Sequence, residues 1–301
     1  MAEERRRRLN ALPPHKRLTA AEFQSTKNTF QPGEWFHISL PSTLNDITTV
    51  NFGPAWLTNA FHAAGTLPLD ISVVAITSFV ELELQGDSAQ GGAGQKAIMS
   101  VKYSKTRAEL HERLFIKVPW PYDANPKWRT ILSSNYGDGD GRELSVYVLA
   151  EDLLPVCIPR LYFADLCRET SNYILITECI EYGHGKILSK CGKYQDSRVK
   201  DVHEYYYALM KALARVAAAD KQGAFEEVIS SFVSGTTVRR SLPDNKARRL
   251  ASQEWTTKML DALSDRTKHL SLGYLRPGVC LRVAFSINRV CFALYCGNEL
   301  G

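Results

Sequence analysis

A lysine inside a short apolar segment limits the folds that this chain can adopt. Leu114, Phe115, Ile116 and Val118 form a partly β-branched run, which is typical of a strand inside a sheet. Lys117 interrupts this run. Burying an unpaired ammonium group costs far more free energy than the packing of a lysine stem provides. The segment therefore predicts a strand whose lysine meets an anionic partner.

The segments on both sides of Lys117 predict an α+β chain with a five-stranded antiparallel sheet. Apolar and β-branched patterns predict three strands, at residues 71–85, 95–104 and 112–118. One helix follows at residues 142–154, and a second hairpin has its strands at residues 160–166 and 173–179. Pro155 ends the predicted helix. Beyond residue 180 the apolar period becomes helical over residues 202–216, and another helix is predicted from about Asn245 to Leu263.

Charge and cysteine content exclude several classes of protein. The net charge of +5 is concentrated in the first 17 residues, which we expect to be a solvated charge run, and no basic face for nucleic acid is evident. No segment has the apolar length of a membrane span or the pattern of a signal peptide, so we expect a cytoplasmic protein. The seven cysteines contain no C-x-x-C pair and are expected to be ordinary thiols, with no metal site.

Two groups near Lys117 are candidates for its anionic partners. Glu143 opens the helix that follows the lysine strand, and packed on the sheet it would reach Lys117 as a charge-assisted pair. Glu151 is the rival carboxylate on the same predicted helix. A phosphate group is the second candidate, because the glycine-rich loop of residues 86–94 would bring backbone N–H groups close to it.

Simpler interpretations of both residues remain open. Lys117 would need no partner on an edge strand, where its head would reach water. Glu143 is also an ordinary first-turn carboxylate favoured by the helix dipole. An unrelated mixed-sheet binding protein would be indicated if the 86–94 loop and Lys117 lay far apart.

With these elements in this order, the chain resembles the protein-kinase-like fold, and within it the aminoglycoside phosphotransferase and choline-kinase-like families of small-molecule kinases. The resemblance covers roughly residues 55–265 and rests on four segments: LFIKVP, GRELSVYVLAEDLLPVCIPRLYFAD, YILITECIEYG and YYALMKALARVAAAD. In such kinases the strand lysine contacts the phosphates of ATP and pairs with the helix glutamate.

The resemblance implies a set of nucleotide-binding residues and a cofactor, ATP with Mg²⁺. The set contains the loop glycines, the ion pair and the backbone of a hinge after the fifth strand, namely Gly91, Gly92, Gly94, Lys117, Glu143, Glu178, Cys179 and Ile180. Leu175 and Ile176 would line the pocket nearby. The loop departs from G-x-G-x-x-G, since Ala97 occupies the position of the third glycine.

The catalytic half of the family pattern is missing from the sequence. None of the seven histidines is followed two residues later by Asp, and no D-F-G occurs, so neither the H-x-D-x-x-x-x-N loop nor the metal-binding Asp is found. Residues 271–301 do not resemble the family, and we interpret the chain as a C-terminally truncated form, with a divergent but genuine terminal element as the alternative. No catalytic residue and no metal ligand are therefore assigned.

The resulting hypothesis divides the chain into four parts. These are a polar, partly disordered extension at residues 1–50, a kinase-like N-lobe at 51–180, a partial helical C-lobe at 181–270 and an atypical tail at 271–301. The resemblance implies a family activity, the ATP-dependent phosphorylation of a hydroxyl on an unidentified small-molecule acceptor. Because the catalytic loop is not found, we expect this chain to bind nucleotide weakly and to transfer no phosphate. The alternative is a non-enzymatic, pseudokinase-like interaction scaffold.

Overall fold

An antiparallel sheet of five strands, in the order β1-β2-β3-β5-β4, organises the structure. This computed structural model describes residues 2–9, 12, 20–26, 29–82, 94–121, 141–184, 200–229 and 231. The strands are β1 Val73–Glu81, β2 Gln95–Tyr103, β3 Arg113–Val118, β4 Leu161–Cys167 and β5 Asn172–Glu178. The α+β class and the five-stranded antiparallel sheet predicted from the sequence are confirmed.

Helices lie before, between and after the strands. They are α1 Ala2–Arg8, α2 Ala20–Thr26, α3 Gly53–Ala63, α4 Gly141–Ala150, α5 Val202–Lys221 and α6 Glu226–Ile229, with a short 3₁₀ helix at Asn45–Thr48. The helix predicted at 142–154 ends earlier than expected, at Ala150, whose carbonyl accepts a turn hydrogen bond from the N–H of Leu153. The predicted helix from Asn245 to Leu263 and the tail at 271–301 lie outside the described residues.

The two faces of the sheet carry two separate hydrophobic clusters, because successive strand residues point to opposite sides. On one side, here called the α3 face, Leu114, Ile116 and Val118 of β3 pack with residues of α3. The other side is the α4 face. There Leu161, Ala164 and Leu166 of β4 and Tyr173 and Leu175 of β5 share a cluster with α4.

The helix α4 is buried around most of its circumference. It contacts β4 on one side and α1 on another, and its cluster also includes Val216 of α5, Val228 of α6 and Phe225, which directly precedes α6. The position of its first turn over the sheet therefore depends on the contacts that α4 makes with each of these neighbours.

The N-terminal region is packed more tightly than its polar composition suggests. Trp35, Leu40, Leu44 and Ile47 are buried, and the turn that contains Trp35 is fastened to β4 by Asp165. The carboxylate of Asp165 accepts hydrogen bonds from the backbone N–H groups of Trp35 and Phe36. The residues that precede α3 therefore cover part of the core in the structure.

Gly33 is required at the start of this turn. A Cβ atom at this position would overlap the carboxyl group of Asp165. The N–H of Glu34 donates to the carbonyl of Leu166, and the Arg168 Nε donates to the Glu34 Oε2 at 2.8 Å. Residues 33–36 thus close the outer edge of β4.

Within the part of the chain that the structure describes, no helix combines the length and the apolar character needed to cross a bilayer.

Candidate functional site

Lys117 lies next to the last residue of β3, on the α4 face of the sheet. In the antiparallel register it is paired with Lys96 of β2 on one side and with Leu175 of β5 on the other. Directly opposed residues of antiparallel strands share a face, so these three side chains point to the same side. The lysine side chain is only 6% exposed. It is not the edge-strand lysine of the simpler interpretation, because β3 lies in the middle of the sheet.

Glu143 is the carboxylate that meets Lys117. The Lys117 Nζ donates to the Glu143 Oε2 over 2.5 Å, and the glutamate side chain is 10% exposed. The rival Glu151 lies beyond the end of α4, where it accepts hydrogen bonds from Arg5 and from the N–H of Leu161. The predicted pairing of Lys117 with Glu143 is therefore confirmed, and the rival pairing with Glu151 is wrong.

Two tyrosines flank this ion pair. The Lys117 Nζ lies 5.6 Å from the centre of the Tyr173 ring, within the range of a cation–π contact. Burial raises the pKa of Tyr147 well above its ordinary value, and the nearby negative charges of Glu143 and Glu151 add to the shift. The Tyr147 hydroxyl therefore remains neutral beside the carboxylate and adds no second negative charge.

Gly94 is the one predicted loop glycine within the described residues, and it lies against this group. Its φ is +156°, and a Cβ atom there would lie 2.5 Å from the Tyr173 hydroxyl and would overlap the carbonyl oxygen of Val118. The structure therefore brings the end of the glycine-rich loop close to the β3 lysine. The same contacts give Gly94 a packing role that needs no nucleotide. Gly91 and Gly92 lie outside the described residues.

A second ammonium group lies beside the first. Lys96 is the direct β2 partner of Lys117 and is 8% exposed. Like charges on directly opposed positions destabilise a sheet unless anionic groups offset them. Two ammonium groups and the carboxylate of Glu143 therefore lie together on the α4 face.

An apolar row crosses the same face two residues before Lys117. The register places Phe115 of β3 opposite Ile98 of β2, and Ile98 opposite Val80 of β1. Phe115 and Ile98 are partly buried, and Val80 is 55% exposed. Residues two positions apart on a strand are about 6.6 Å apart. A flat ligand that stacked on Val80, Ile98 and Phe115, here called the apolar row, would have its polar end at Lys117.

The two predicted pocket residues of β5 point in opposite directions. Leu175 is on the α4 face as the register partner of Lys117, whereas Ile176 packs in the cluster of the α3 face. The prediction that Ile176 lines the pocket is wrong, because neighbouring strand residues cannot share a face.

The predicted hinge follows β5 directly, and part of its backbone is already hydrogen bonded. The N–H of Glu178 donates to the carbonyl of Arg160, and the N–H of Cys179 donates to the carbonyl of Arg113. The carbonyl of Ile180 accepts from the N–H of Tyr182. Adenine recognition at the hinge would therefore use backbone carbonyl oxygens or the N–H of Ile180. The predicted set of adenine-binding backbone atoms is reduced to these groups.

The Glu178 side chain faces away from the lysine site. Its register partner is Leu114, a residue of the α3 face, and its Oε2 lies 2.9 Å from the His111 Nε2. Side-chain recognition of a base on the α4 face by Glu178 is therefore excluded, which leaves its backbone as the only group able to take part.

Sequence reasoning did not assign Lys96, Tyr173 or Phe115 to the site. The strand register could have supplied Lys96 and Phe115, since both follow once β2 and β3 are paired. The place of Tyr173 depends on the strand order, with β5 beside β3, which the local patterns of the sequence do not give.

Among the described residues, no group of three or more His, Cys, Asp or Glu side chains is placed to hold a metal ion. Comparison with protein-family models, with curated proteins and with solved structures finds no match to this chain.

Proposed function

We propose that this chain binds a nucleoside triphosphate on the α4 face of its sheet, in the manner of the N-lobe of small-molecule kinases. Lys117 contacts the phosphates, Glu143 holds the lysine in position, and the apolar row receives the base. ATP with Mg²⁺ is the expected ligand by resemblance. The buried pair of Lys117 and Glu143 is the single observation that carries the proposal.

The energetics of a buried ion pair favour a functional role for it. Taking both charges out of water costs several kcal/mol per ion, so replacing such a pair by well-packed apolar residues is often neutral or stabilising. Perturbed and buried charges also cluster at functional sites. Glu143 holds the Lys117 ammonium group in one place on the α4 face, at an Nζ–Oε2 distance of 2.5 Å.

The arrangement of charge and apolar surface matches the two ends of a nucleotide. Lys96 and Lys117 provide the cationic end, and Phe115 and Ile98 provide the apolar end on the same face. Phosphates attract the ammonium groups, and a base stacks on apolar and aromatic side chains. This order along the strands gives the ligand one orientation, with its phosphates toward α4.

Phosphoryl transfer is not part of the proposal. The motif that orients the acceptor hydroxyl is not found in the sequence. We assign no protein ligand to Mg²⁺, which in such sites is held largely by the phosphates and by water. Binding through two lysines and one apolar row is expected to be weak, with a Kd of about 0.1 to 1 mM.

A non-catalytic interaction scaffold is the second candidate. It is favoured by the hinge, where the N–H groups of Glu178 and Cys179 are already bonded within the chain. On that account the buried pair only fixes α4 to the sheet. The two functions differ in whether ATP contacts the α4 face.

Methyl NMR spectroscopy separates the two. With isoleucine methyl groups labelled, Mg-ATP should shift the Ile98 signal, which reports the α4 face, and leave Ile47 of the α3-face cluster unchanged. Titration to about 5 mM covers the expected affinity. An Ile98 signal that does not move over this range would exclude nucleotide binding at the site.

A further inference from the structure

The N-terminal helix is attached to the far end of the helix that carries Glu143. In α1, Arg5 is 1% exposed and donates from Nε to the carbonyl of Val148 at 3.1 Å. Its Nη2 donates to the carbonyl of Tyr147 at 3.2 Å and to the Glu151 Oε2 at 2.7 Å. The guanidinium group therefore binds the C-terminal end of α4 at three points.

The chemistry of a helix end explains these contacts. The last four carbonyl groups of a helix have no partner within it, and for α4 they include those of Tyr147 and Val148. A cation at this end also interacts favourably with the helix dipole. Arg5 thus caps α4 from outside, although its position in the sequence is more than 140 residues away.

The cap continues into the sheet. Glu151, which receives Arg5, also accepts the N–H of Leu161 at 2.7 Å, at the first residue of β4. Arg6 makes a neighbouring ion pair with Asp152. The C-terminal end of α4 is therefore tied both to α1 and to the sheet.

We propose that Arg5 is a positioning residue for Glu143, and through it for the nucleotide-contacting Lys117. This inference rests on the proposed function only in its second test, which measures nucleotide binding. The helix α4 has ten residues, Gly141–Ala150, and is held at its first turn by Lys117 and at its last turn by Arg5. Loss of the second attachment lets α4 tilt about the first, which loosens the 2.5 Å contact between Glu143 and Lys117.

The first test follows Lys117 directly and needs no nucleotide. Amine acetylation of the folded full-length chain, quantified by mass spectrometry, measures how often the Lys117 Nζ leaves its partner, with the exposed Lys102 as internal reference. We expect Arg5→Ala to raise the acetylation rate of Lys117 about tenfold, because local opening controls access to a buried group.

Two control variants separate positioning from general loss of stability. Arg7→Ala removes a charge from the same helix, where the side chain is 76% exposed and pairs with Glu3. Ile47→Val removes a methylene from the α3-face cluster and destabilises the fold modestly. Both should leave the acetylation of Lys117 within about twofold of the unaltered chain. Arg5→Lys keeps the charge but loses the forked geometry of the guanidinium group. Its acetylation rate at Lys117 should lie between the rates of the unaltered chain and of Arg5→Ala.

The second test adds the ligand. Arg5→Ala should weaken Mg-ATP binding about tenfold, whereas Arg7→Ala and Ile47→Val should not change it. Equal acetylation of Lys117 in Arg5→Ala and Arg7→Ala would overturn the positioning role. An unaltered chain that ignores ATP would remove the proposed function, and the acetylation rates would still decide the role of Arg5. If Arg5→Ala fails to fold, the same comparison is made with Arg5→Lys.

Discussion

The Oε2 of Glu143 lies 2.5 Å from the Nζ of Lys117, and both side chains are almost completely removed from water. The two residues lie 26 positions apart, on α4 and on β3. The contact joins the helix to the middle of the sheet and leaves the lysine beside Lys96 and next to the apolar row. This geometry underlies both the proposed nucleotide site and the stability predictions that follow.

Removing one partner of the pair should destabilise the fold more than removing both. Glu143→Gln leaves a buried ammonium without its counter-charge and should cost about 3 kcal/mol of unfolding free energy. The double variant Lys117→Met with Glu143→Leu should recover most of this loss, because it buries no charge. Urea denaturation of the three chains measures both values.

An exposed ion pair serves as the control for this cycle. Asp70 and Lys105 are 2.7 Å apart, and their side chains are about half exposed. Asp70→Asn should change stability much less than Glu143→Gln, because water screens the exposed pair. Equal losses for the two substitutions would show that the buried pair has no special energetic position.

Asp165 should make the stability of the chain decrease as the pH rises. Burial raises the pKa of this carboxyl group from 3.8 to about 7, against the opposing effect of the N–H groups of Trp35, Phe36 and Leu166. Between these values the folded chain binds the proton more tightly than the unfolded chain. The contribution is therefore complete below the unfolded pKa and is lost as the pH rises through the folded one.

Asp165→Asn provides the measurement of this effect. Stability is determined by urea denaturation at pH 5 and at pH 8 for both chains, since the amide does not titrate. The unaltered chain should lose more stability over this range than the variant. An equal loss of stability between pH 5 and pH 8 in the two chains would mean that Asp165 is ionised in the folded chain over this whole range.

Substitution of Gly94 should act through packing as well as through the ligand. In Gly94→Ala the added methyl group meets the Val118 carbonyl and the Tyr173 hydroxyl, at a φ of +156°. We expect a loss of about 2 kcal/mol in unfolding free energy even without nucleotide, in the range of overpacking and backbone strain. Denaturation without ATP measures it. An unchanged midpoint would show that this loop end adjusts freely.

Lys96 should contribute to the binding of phosphates and not of the base. Lys96→Gln should weaken Mg-ATP binding about tenfold and leave the weaker binding of adenosine unchanged, because only the triphosphate carries charge at that end. Lys102→Gln is the matched control, since Lys102 lies on the same strand and is exposed. Equal effects of the two substitutions on ATP would assign Lys96 to general electrostatic attraction.

The sequence predicted the pair of Lys117 and Glu143 because its elements follow directly along the chain. A strand, a connection and a helix that packs back on the sheet place the first turn of the helix near the strand. The five strands were predictable for a similar reason, since each carries its own apolar pattern. These features depend on local periodicity and on chain order.

The contacts of Arg5 and the direction of Ile176 were not predicted, for two different reasons. Arg5 belongs to a run of four arginines, which typically stays solvated, and its burial depends on meeting the end of a distant helix. No local pattern in α1 indicates that partner. The error for Ile176 was avoidable, since alternation along β5 already separates it from Leu175.

Isothermal titration of Mg-ATP into the full-length chain and into Lys117→Met tests the central claim most directly. The methionine keeps the volume of the lysine stem and removes only the ammonium group, and Lys102→Met provides a control for lost surface charge. We predict a Kd of about 0.1 to 1 mM for the unaltered chain and for Lys102→Met, and binding at least about tenfold weaker for Lys117→Met. Equal affinity in all three chains, or no binding by the unaltered chain at about 5 mM ATP, would contradict the account.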